Sequence, residues 1–233
     1  MIAEQAGVGW FALLFAFALL PRTIRPMFTR RPMETPIRRS RARAYVAGSL
    51  AALVLAAITL PLDLAGSRAG IRVALTVPDA GELFTWALLA GALGLGIWLL
   101  DLVARRLGAT VNTHAVDLLP RTVGERWAAY AAALLSGTAE EYVMRGYFIA
   151  LMTVAVGSAP IGVGLVSILF GLLHAPRDRA AAISGSLLGV TLAVPVLATG
   201  TLLPSVIARA SVEIASVTWT LPILVRWKLA PRE

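Results

Sequence analysis

Residues 136–146 place two carboxylates and a guanidinium inside a strongly apolar stretch of the chain. Ionisable groups at membrane depth are unfavourable unless they are paired, so they indicate a functional site. Glu141 and Arg145 are four residues apart, and on a helix they share a face and can form an ion pair. Glu140 is turned about 100° away from that face. We therefore expect Glu141 to be structurally committed and Glu140 to be available for chemistry.

Two further pairs of residues at four-residue spacing add to this site. Phe170 and His174 form a Phe-x-x-x-His pattern at the end of an apolar run, and Arg209 and Glu213 follow near the C-terminus. A lone histidine at a helix end is more often interfacial than catalytic, so His174 gains meaning only together with the glutamates. His114 lies among polar residues with no second ligand at metal-site spacing, which is typical of a solvated loop.

The composition indicates which elements must position these residues. Of the 233 residues, 58% are hydrophobic and only 15% are charged, and the mean hydropathy is +0.78. Such a chain is too apolar for a soluble domain and is typical of a polytopic helical membrane protein. The net charge of +8 comes from arginines grouped between apolar runs, as in cytoplasmic loops. We therefore expect no nucleic-acid partner. The absence of cysteine excludes disulfides and thiolate chemistry.

The apolar runs predict an all-α bundle of about seven transmembrane helices, of which the second and third are each close to the ~20 residues that a bilayer requires. The predicted spans are Gly7–Leu20, Tyr45–Ala65, Leu83–Ala104, Trp127–Val156, Pro160–His174, Ala180–Thr199 and Leu202–Leu224. Residues 22–43 carry many arginines and the single acid Glu34, which predicts a cytoplasmic loop lying on anionic lipid headgroups. With this loop inside, the N-terminus lies outside and the C-terminus is cytoplasmic.

Two spans have internal features that affect packing. Trp127–Val156 is longer than a ~30 Å hydrocarbon core needs at 1.5 Å per residue. This span must therefore tilt, protrude or break. Ser136–Gly137–Thr138 is the natural place for a break, because glycine loosens a helix and Ser or Thr can cap a new one. Gly185 and Gly189 form a Gly-x-x-x-Gly pair that permits close helix contact, although such pairs are common by chance in Gly-rich membrane helices.

The order Glu-Glu-x-x-x-Arg and then Phe-x-x-x-His resembles the CPBP family, the type II CAAX prenyl proteases and bacteriocin-processing (Abi) membrane proteins. The resemblance covers residues from about 126 to 224. It implies a protein of the prokaryotic cytoplasmic membrane, in which residues 126–233 form the CPBP-like core of helices 4 to 7. Residues 1–125 would then supply three N-terminal transmembrane helices with the basic loop 22–43.

By this resemblance, Glu140 activates water for peptide hydrolysis and His174 holds and polarises that water. Glu141, Arg145 and Phe170 support the site. A carboxylate removed from water binds its proton more tightly, so it can act as a general base near neutral pH. The resemblance implies neither a metal nor another cofactor.

The third motif of the family, normally His-x-x-x-Asn, reads Arg209 and Glu213 in this chain. A guanidinium suits the stabilisation of a developing oxyanion. Alternatively, Arg209 pairs with Glu140 and only holds helices together, and a close Arg209 would oppose the general-base function of Glu140 by keeping it ionised. Counted from the helix ends, His174 lies nearer the cytoplasm than Arg209, so a tilt is needed to bring the two level.

Three functions remain open at this point. The first is an intramembrane endopeptidase acting on membrane-associated peptides or proteins, with Glu140, His174, Arg209 and Glu213 at its catalytic site. The second is a catalytically degenerate scaffold or immunity-type subunit that binds a partner in a membrane complex. The third is a metal-dependent hydrolase with Glu140, His174 and Glu213 as ligands, although one imidazole among oxygens is a poor zinc site.

Overall fold

The computed structural model describes residues 41–66, 77–107, 119–174 and 179–227, and in these ranges the chain forms helices and no β-strand. The all-α prediction is confirmed. The helices are α1 (Arg41–Gly66), α2 (Ala80–Arg106), α3 (Val123–Glu141), a π-helical segment (Tyr142–Phe148), α4 (Ile149–Val156), α5 (Ala159–His174), α6 (Arg179–Thr199) and α7 (Leu203–Arg226). Because α3, the π-helical segment and α4 are continuous, these ranges hold six rods. The predicted first span, Gly7–Leu20, lies outside the described residues.

Three of the described helices are long and apolar enough to cross a membrane, namely Ala80–Arg106, Ala180–Thr199 and Leu203–Arg226. Two shorter apolar helices accompany them, Tyr45–Leu60 and Ala159–His174. Each corresponds to a span predicted from the sequence. These helices present large exposed apolar side chains, as lipid contact requires; examples are Phe84, Leu88, Leu93, Ile168 and Leu197.

The rod from α3 to α4 begins and ends at local signals. Thr122 and Glu125 form a capping box in which each side chain accepts a hydrogen bond from the other residue's backbone N–H. Gly157 follows α4 with φ 69°, a left-handed conformation that glycine adopts without strain. Gly200 does the same, with φ 68°, in the short turn between α6 and α7.

The predicted break at Ser136–Gly137–Thr138 is wrong. The hydroxyls of Ser136 and Thr138 donate to the carbonyls of Ala132 and Leu134 at 2.6 and 2.7 Å, so they bond within the existing helix instead of capping a new one. The irregularity comes later, as the π-helical segment that starts directly after the two glutamates. Single π-turns within α-helices are frequent at functional sites.

The rod packs between α1 and α5, and α7 contacts both α3 and α2. The Gly-x-x-x-Gly pair of α6 lies at its interface with α5. A Cβ built on Gly185 would lie 3.2 Å from the Cα of Gly171, and one on Gly189 would lie 3.0 Å from the Cα of Ser167. The two backbones therefore approach closely, and the pair is used for packing.

Candidate active site

The two adjacent glutamates at the end of α3 have different surroundings. Glu141 is completely buried, with 0% of its side chain exposed, and it faces the interior of the bundle. The side chain of Glu140 is 34% exposed and lines a cavity. The two glutamates of this motif therefore face opposite surroundings, with Glu141 in the packed interior and Glu140 in the cavity.

Glu141 and Arg145 form the buried pair. The Nη1 atom of Arg145 lies 3.1 Å from Oε1 of Glu141, and both side chains are almost fully buried. The hydroxyl of Ser205, at the start of α7, donates a hydrogen bond to Oε2 of Glu141. Ser205 was not predicted from the sequence. Its only signal is its position on α7 four residues before Arg209, on the same helix face.

Glu140, Arg209 and Glu213 form a second cluster, the cavity triad. The Nη2 atom of Arg209 lies 3.1 Å from Oε2 of Glu140 and 2.7 Å from Oε1 of Glu213. One guanidinium nitrogen therefore bridges carboxylates from α3 and α7. Arg209 is itself buried, whereas the side chain of Glu213 is 30% exposed.

Phe170 packs beside both arginines. Its ring is 1% exposed, and the guanidinium carbon of Arg145 lies 4.2 Å from its centroid. The guanidinium carbon of Arg209 lies 5.3 Å from the same centroid. Cations within about 6 Å of an aromatic face are attracted by its quadrupole. Phe170 thus links the two charged clusters through contacts with both arginines.

His174 is oriented by the residue one turn before it. Its Nδ1 lies 2.9 Å from the backbone carbonyl oxygen of Phe170, and the two rings are 4.6 Å apart at an angle of 55°. A carbonyl oxygen only accepts hydrogen bonds, so Nδ1 carries the proton in this contact. In the neutral imidazole, Nε2 is then the acceptor and can take a hydrogen bond from a water molecule.

A cavity of about 510 Å³ brings the four predicted catalytic residues together. Glu140, His174, Arg209 and Glu213 all line it, so the expected difference in depth between His174 and Arg209 does not keep them apart. Arg209 contacts Glu140 without covering it. The cavity triad therefore faces open space on one side.

The cavity walls also contain residues that sequence reasoning missed. The lining residues as a whole come from every described α-helix except α4, and Leu119 precedes α3. The additional polar lining residues are Tyr45, Ser49, Trp98, Asp101, Arg105, Ser136, Ser184, Ser216 and Thr220. Asp101 and Arg105 are paired at 2.8 Å, and the Nε1 atom of Trp98 donates to the hydroxyl oxygen of Thr220 at 3.2 Å. The N-terminal helices α1 and α2 thus build part of the cavity.

The described ranges contain no group of three His, Asp or Glu side chains placed to hold a metal ion. Glu140, His174 and Glu213 share the cavity without converging on one point. The third function suggested by the sequence, a metal-dependent hydrolase, therefore has no ligand set in this part of the chain.

Comparison with known proteins gives one match. The family model described as Rce1-like, type II CAAX prenyl endopeptidase Rce1-like, matches residues 122–215, which include the buried pair, the cavity triad and Phe170 with His174. No curated protein and no solved structure matches the chain. Together with the apolar helices, the match indicates an integral membrane protein. The match over residues 122–215 supports membership of the CPBP family, in which the type II CAAX prenyl endopeptidases are placed.

Proposed function

We propose that this protein is an intramembrane endopeptidase that hydrolyses membrane-associated peptides with a water molecule activated by Glu140. The supporting observation is the single cavity lined by Glu140, His174 and Arg209. A base, a water acceptor and an oxyanion donor are the groups that metal-independent peptide hydrolysis requires. No other region that the structure describes combines them.

In the proposed reaction, water lies between Glu140 and the Nε2 atom of His174. Glu140 takes a proton from the water, and the oxygen attacks the carbonyl carbon of the peptide bond. The carbonyl oxygen becomes an oxyanion that accepts hydrogen bonds from Arg209, whose charge is permanent. The C–N bond then breaks, and the leaving amine takes the proton from Glu140, which returns the carboxylate to its initial state.

In this mechanism Arg209 changes its hydrogen-bond partners during the reaction. At rest its Nη2 atom binds Glu140 and Glu213. During reaction the guanidinium turns part of its hydrogen bonding toward the oxyanion, and Glu213 keeps it in place. Glu213 thus replaces, in this proposal, the anchoring that a family asparagine at the same position would provide.

The direct test uses purified protein in lipid vesicles with a library of membrane-anchored peptides, and it follows cleavage by mass spectrometry. Wild type cleaves at least one peptide, and Glu140→Gln abolishes that cleavage. Glu82→Gln, an exposed glutamate in the first turn of α2, leaves it unchanged. A chelator has no effect. An inactive wild type contradicts the proposal, and a chelator-sensitive rate contradicts its metal-free mechanism.

A second candidate is a catalytically degenerate scaffold or immunity-type subunit that binds a partner protein. The bridge from α3 to α7 through Arg209 favours it, because the same contacts stabilise the bundle without any chemistry. The double variant Arg209→His with Glu213→Asn restores the third family motif and tests this function. New cleavage in that variant, with none in wild type, identifies a degenerate enzyme.

The proposed orientation places the arginine-rich helix ends in the cytoplasm of a prokaryotic cell. Arg105 and Arg106 end α2, and Arg226 ends α7, which fits the excess of arginine on the inner side of membrane proteins. Because the chain has no cysteine, single cysteines report the orientation cleanly. In intact cells, an impermeant thiol reagent labels Val77→Cys before α2 and spares Leu107→Cys after it. The reverse pattern contradicts the orientation.

A further inference from the structure

The contact between α5 and α6 lies directly against His174. A Cβ built on Gly185 of α6 would lie 3.4 Å from Cγ and 3.5 Å from Cβ of His174. It would also lie 3.2 Å from the Cα of Gly171, one turn before His174 on α5. Both Gly185 and His174 line the cavity. Gly185 therefore faces the stem of the imidazole from the neighbouring helix, and a side chain at this position would contact it.

These contacts complete a seat around the imidazole. The carbonyl oxygen of Phe170 lies 2.9 Å from Nδ1, and the Phe170 ring packs beside the imidazole with the two centroids 4.6 Å apart. The position that a Cβ of residue 185 would occupy lies 3.4–3.5 Å from Cγ and Cβ, the atoms about which the ring rotates. A side chain with these neighbours has few alternative rotamers.

We propose that Gly185 is a positioning residue that orients His174 by having no side chain, so that Nδ1 reaches the Phe170 carbonyl. This inference rests on the proposed hydrolytic function for its kinetic consequence. It does not rest on it for the orientation of the ring, which is measurable in an inactive protein.

An added methyl group has little space at Gly185. Relaxed carbon–carbon contacts lie at about 3.5–4.0 Å, and the 3.2 Å approach to the Cα of Gly171 involves backbone that moves only with its helix. In Gly185→Ala, α5 and α6 separate, or the imidazole turns, by a fraction of an ångström. Catalytic geometry is sensitive to such shifts, and a 1 Å displacement lowers the rate by roughly 10²-fold.

Gly189 offers a matched control on the same helix face, one turn further along α6. The three atoms nearest to a Cβ built on Gly189 all belong to Ser167, at 2.9–3.1 Å, which is tighter than the contacts of Gly185. Helix separation alone thus makes Gly189→Ala the more disruptive change. If Gly185 acts by orienting His174, Gly185→Ala lowers the reaction rate more than Gly189→Ala does. The two explanations therefore predict opposite orders of activity for these variants.

The orientation of the ring is read by NMR of histidine labelled with ¹⁵N. The chain has only two histidines, and in the His114→Gln background the single signal belongs to His174. We expect the Nδ1–H tautomer in that background and in Gly189→Ala. We expect a mixture of tautomers in Gly185→Ala, because the bond to the Phe170 carbonyl is disturbed.

The kinetic test compares the same variants on a cleaved peptide. Gly185→Ala lowers kcat roughly 10- to 100-fold with little change in KM, since the change affects the reacting geometry more than peptide binding. Gly189→Ala retains the larger share of kcat, although it lowers the unfolding temperature more. Equal tautomer spectra in the two variants overturn the inference, whether or not the protein cleaves peptides. An inactive wild type with the expected spectra contradicts the proposed function and leaves the seating of His174 established.

Discussion

Glu140 and Glu141 are neighbours in sequence, yet they belong to charged clusters with opposite surroundings. Glu141 is enclosed with Arg145 and Ser205, and its ion pair is 0–1% exposed. Glu140 shares one nitrogen of Arg209 with Glu213 and remains one-third exposed to the cavity. Phe170 packs against both arginines. One cluster is closed to solvent, and the other is open to the cavity.

The difference follows from the energetics of charge burial. Removing two ions from water costs several kcal/mol for each, and attraction between them offsets this only when both are present. The buried pair therefore depends on each of its members. The cavity triad is partly hydrated, so the loss of one member is partly compensated by water. We expect changes in the buried pair to affect folding and changes in the cavity triad to affect chemistry.

The largest expected effect on catalysis is that of Glu140→Gln. Loss of a general base lowers the rate by about 10²–10⁴-fold. The side chain keeps its size, and Arg209 keeps Glu213 as its counter-ion, so peptide affinity and unfolding temperature remain close to wild type. Single-turnover rates and fluorescence-detected peptide binding give the two readouts. A variant that loses binding in proportion to its rate shows that Glu140 holds the peptide instead of activating water.

The next largest effect is that of Glu141→Gln on stability. It leaves Arg145 buried without a counter-ion, which destabilises by about 3–5 kcal/mol. Thermal unfolding in detergent gives the shift, and cleavage per folded molecule stays near the wild-type value. Ser205→Ala provides the smaller companion change, because it removes one hydrogen bond to a charged group, worth about 1.5–3 kcal/mol. A stable but inactive Glu141→Gln protein would mean that the buried pair takes part in chemistry.

Arg209→Ala comes third and tests the oxyanion function directly. Loss of one oxyanion donor lowers kcat by about 10²–10³-fold, whereas Arg209→Lys keeps a charge and recovers part of the rate. The substitution also frees Glu140 from its ion pair. If Arg209 only restrains Glu140, the rate rises in Arg209→Ala. That result would contradict the proposal that the cavity triad stabilises the oxyanion.

Local features of this contrast were predictable from the sequence. The helix positions follow from the lengths of the apolar runs, and the pairs Glu141–Arg145 and Arg209–Glu213 follow from four-residue spacing on a helix. The choice of Glu140 as the exposed carboxylate follows from the same geometry, because it lies about 100° from the face of Glu141. These inferences need no knowledge of how the helices are arranged.

Features that depend on helix arrangement were not predictable. Ser205 reaches Glu141 across 64 positions of sequence, and the walls contributed by Tyr45 and Asp101 lie outside the recognised motifs. The Gly185–Gly189 pair gave a packing signal but did not specify His174 as the neighbour. The break at Ser136–Gly137–Thr138 was wrongly predicted, because Ser136 and Thr138 are equally compatible with helix capping and with bonds inside a continuous helix. The π-helical segment after Glu141 was not predicted.

The smallest expected effect is that of Glu213→Gln, which tests the Arg209–Glu213 contact separately from the Arg209–Glu140 contact. Glu213 is partly exposed and Arg209 keeps Glu140 as a counter-ion, so the loss of this pair destabilises less than the loss of the buried pair does. The guanidinium loses its anchor on α7 and turns fully toward Glu140, which makes it less available to the oxyanion. We expect kcat to fall several-fold with KM unchanged, while Ser211→Ala on the exposed side of α7 changes neither. An unchanged kcat would show that Arg209 needs only Glu140 to hold it, and that Glu213 belongs functionally with the supporting residues of the buried pair.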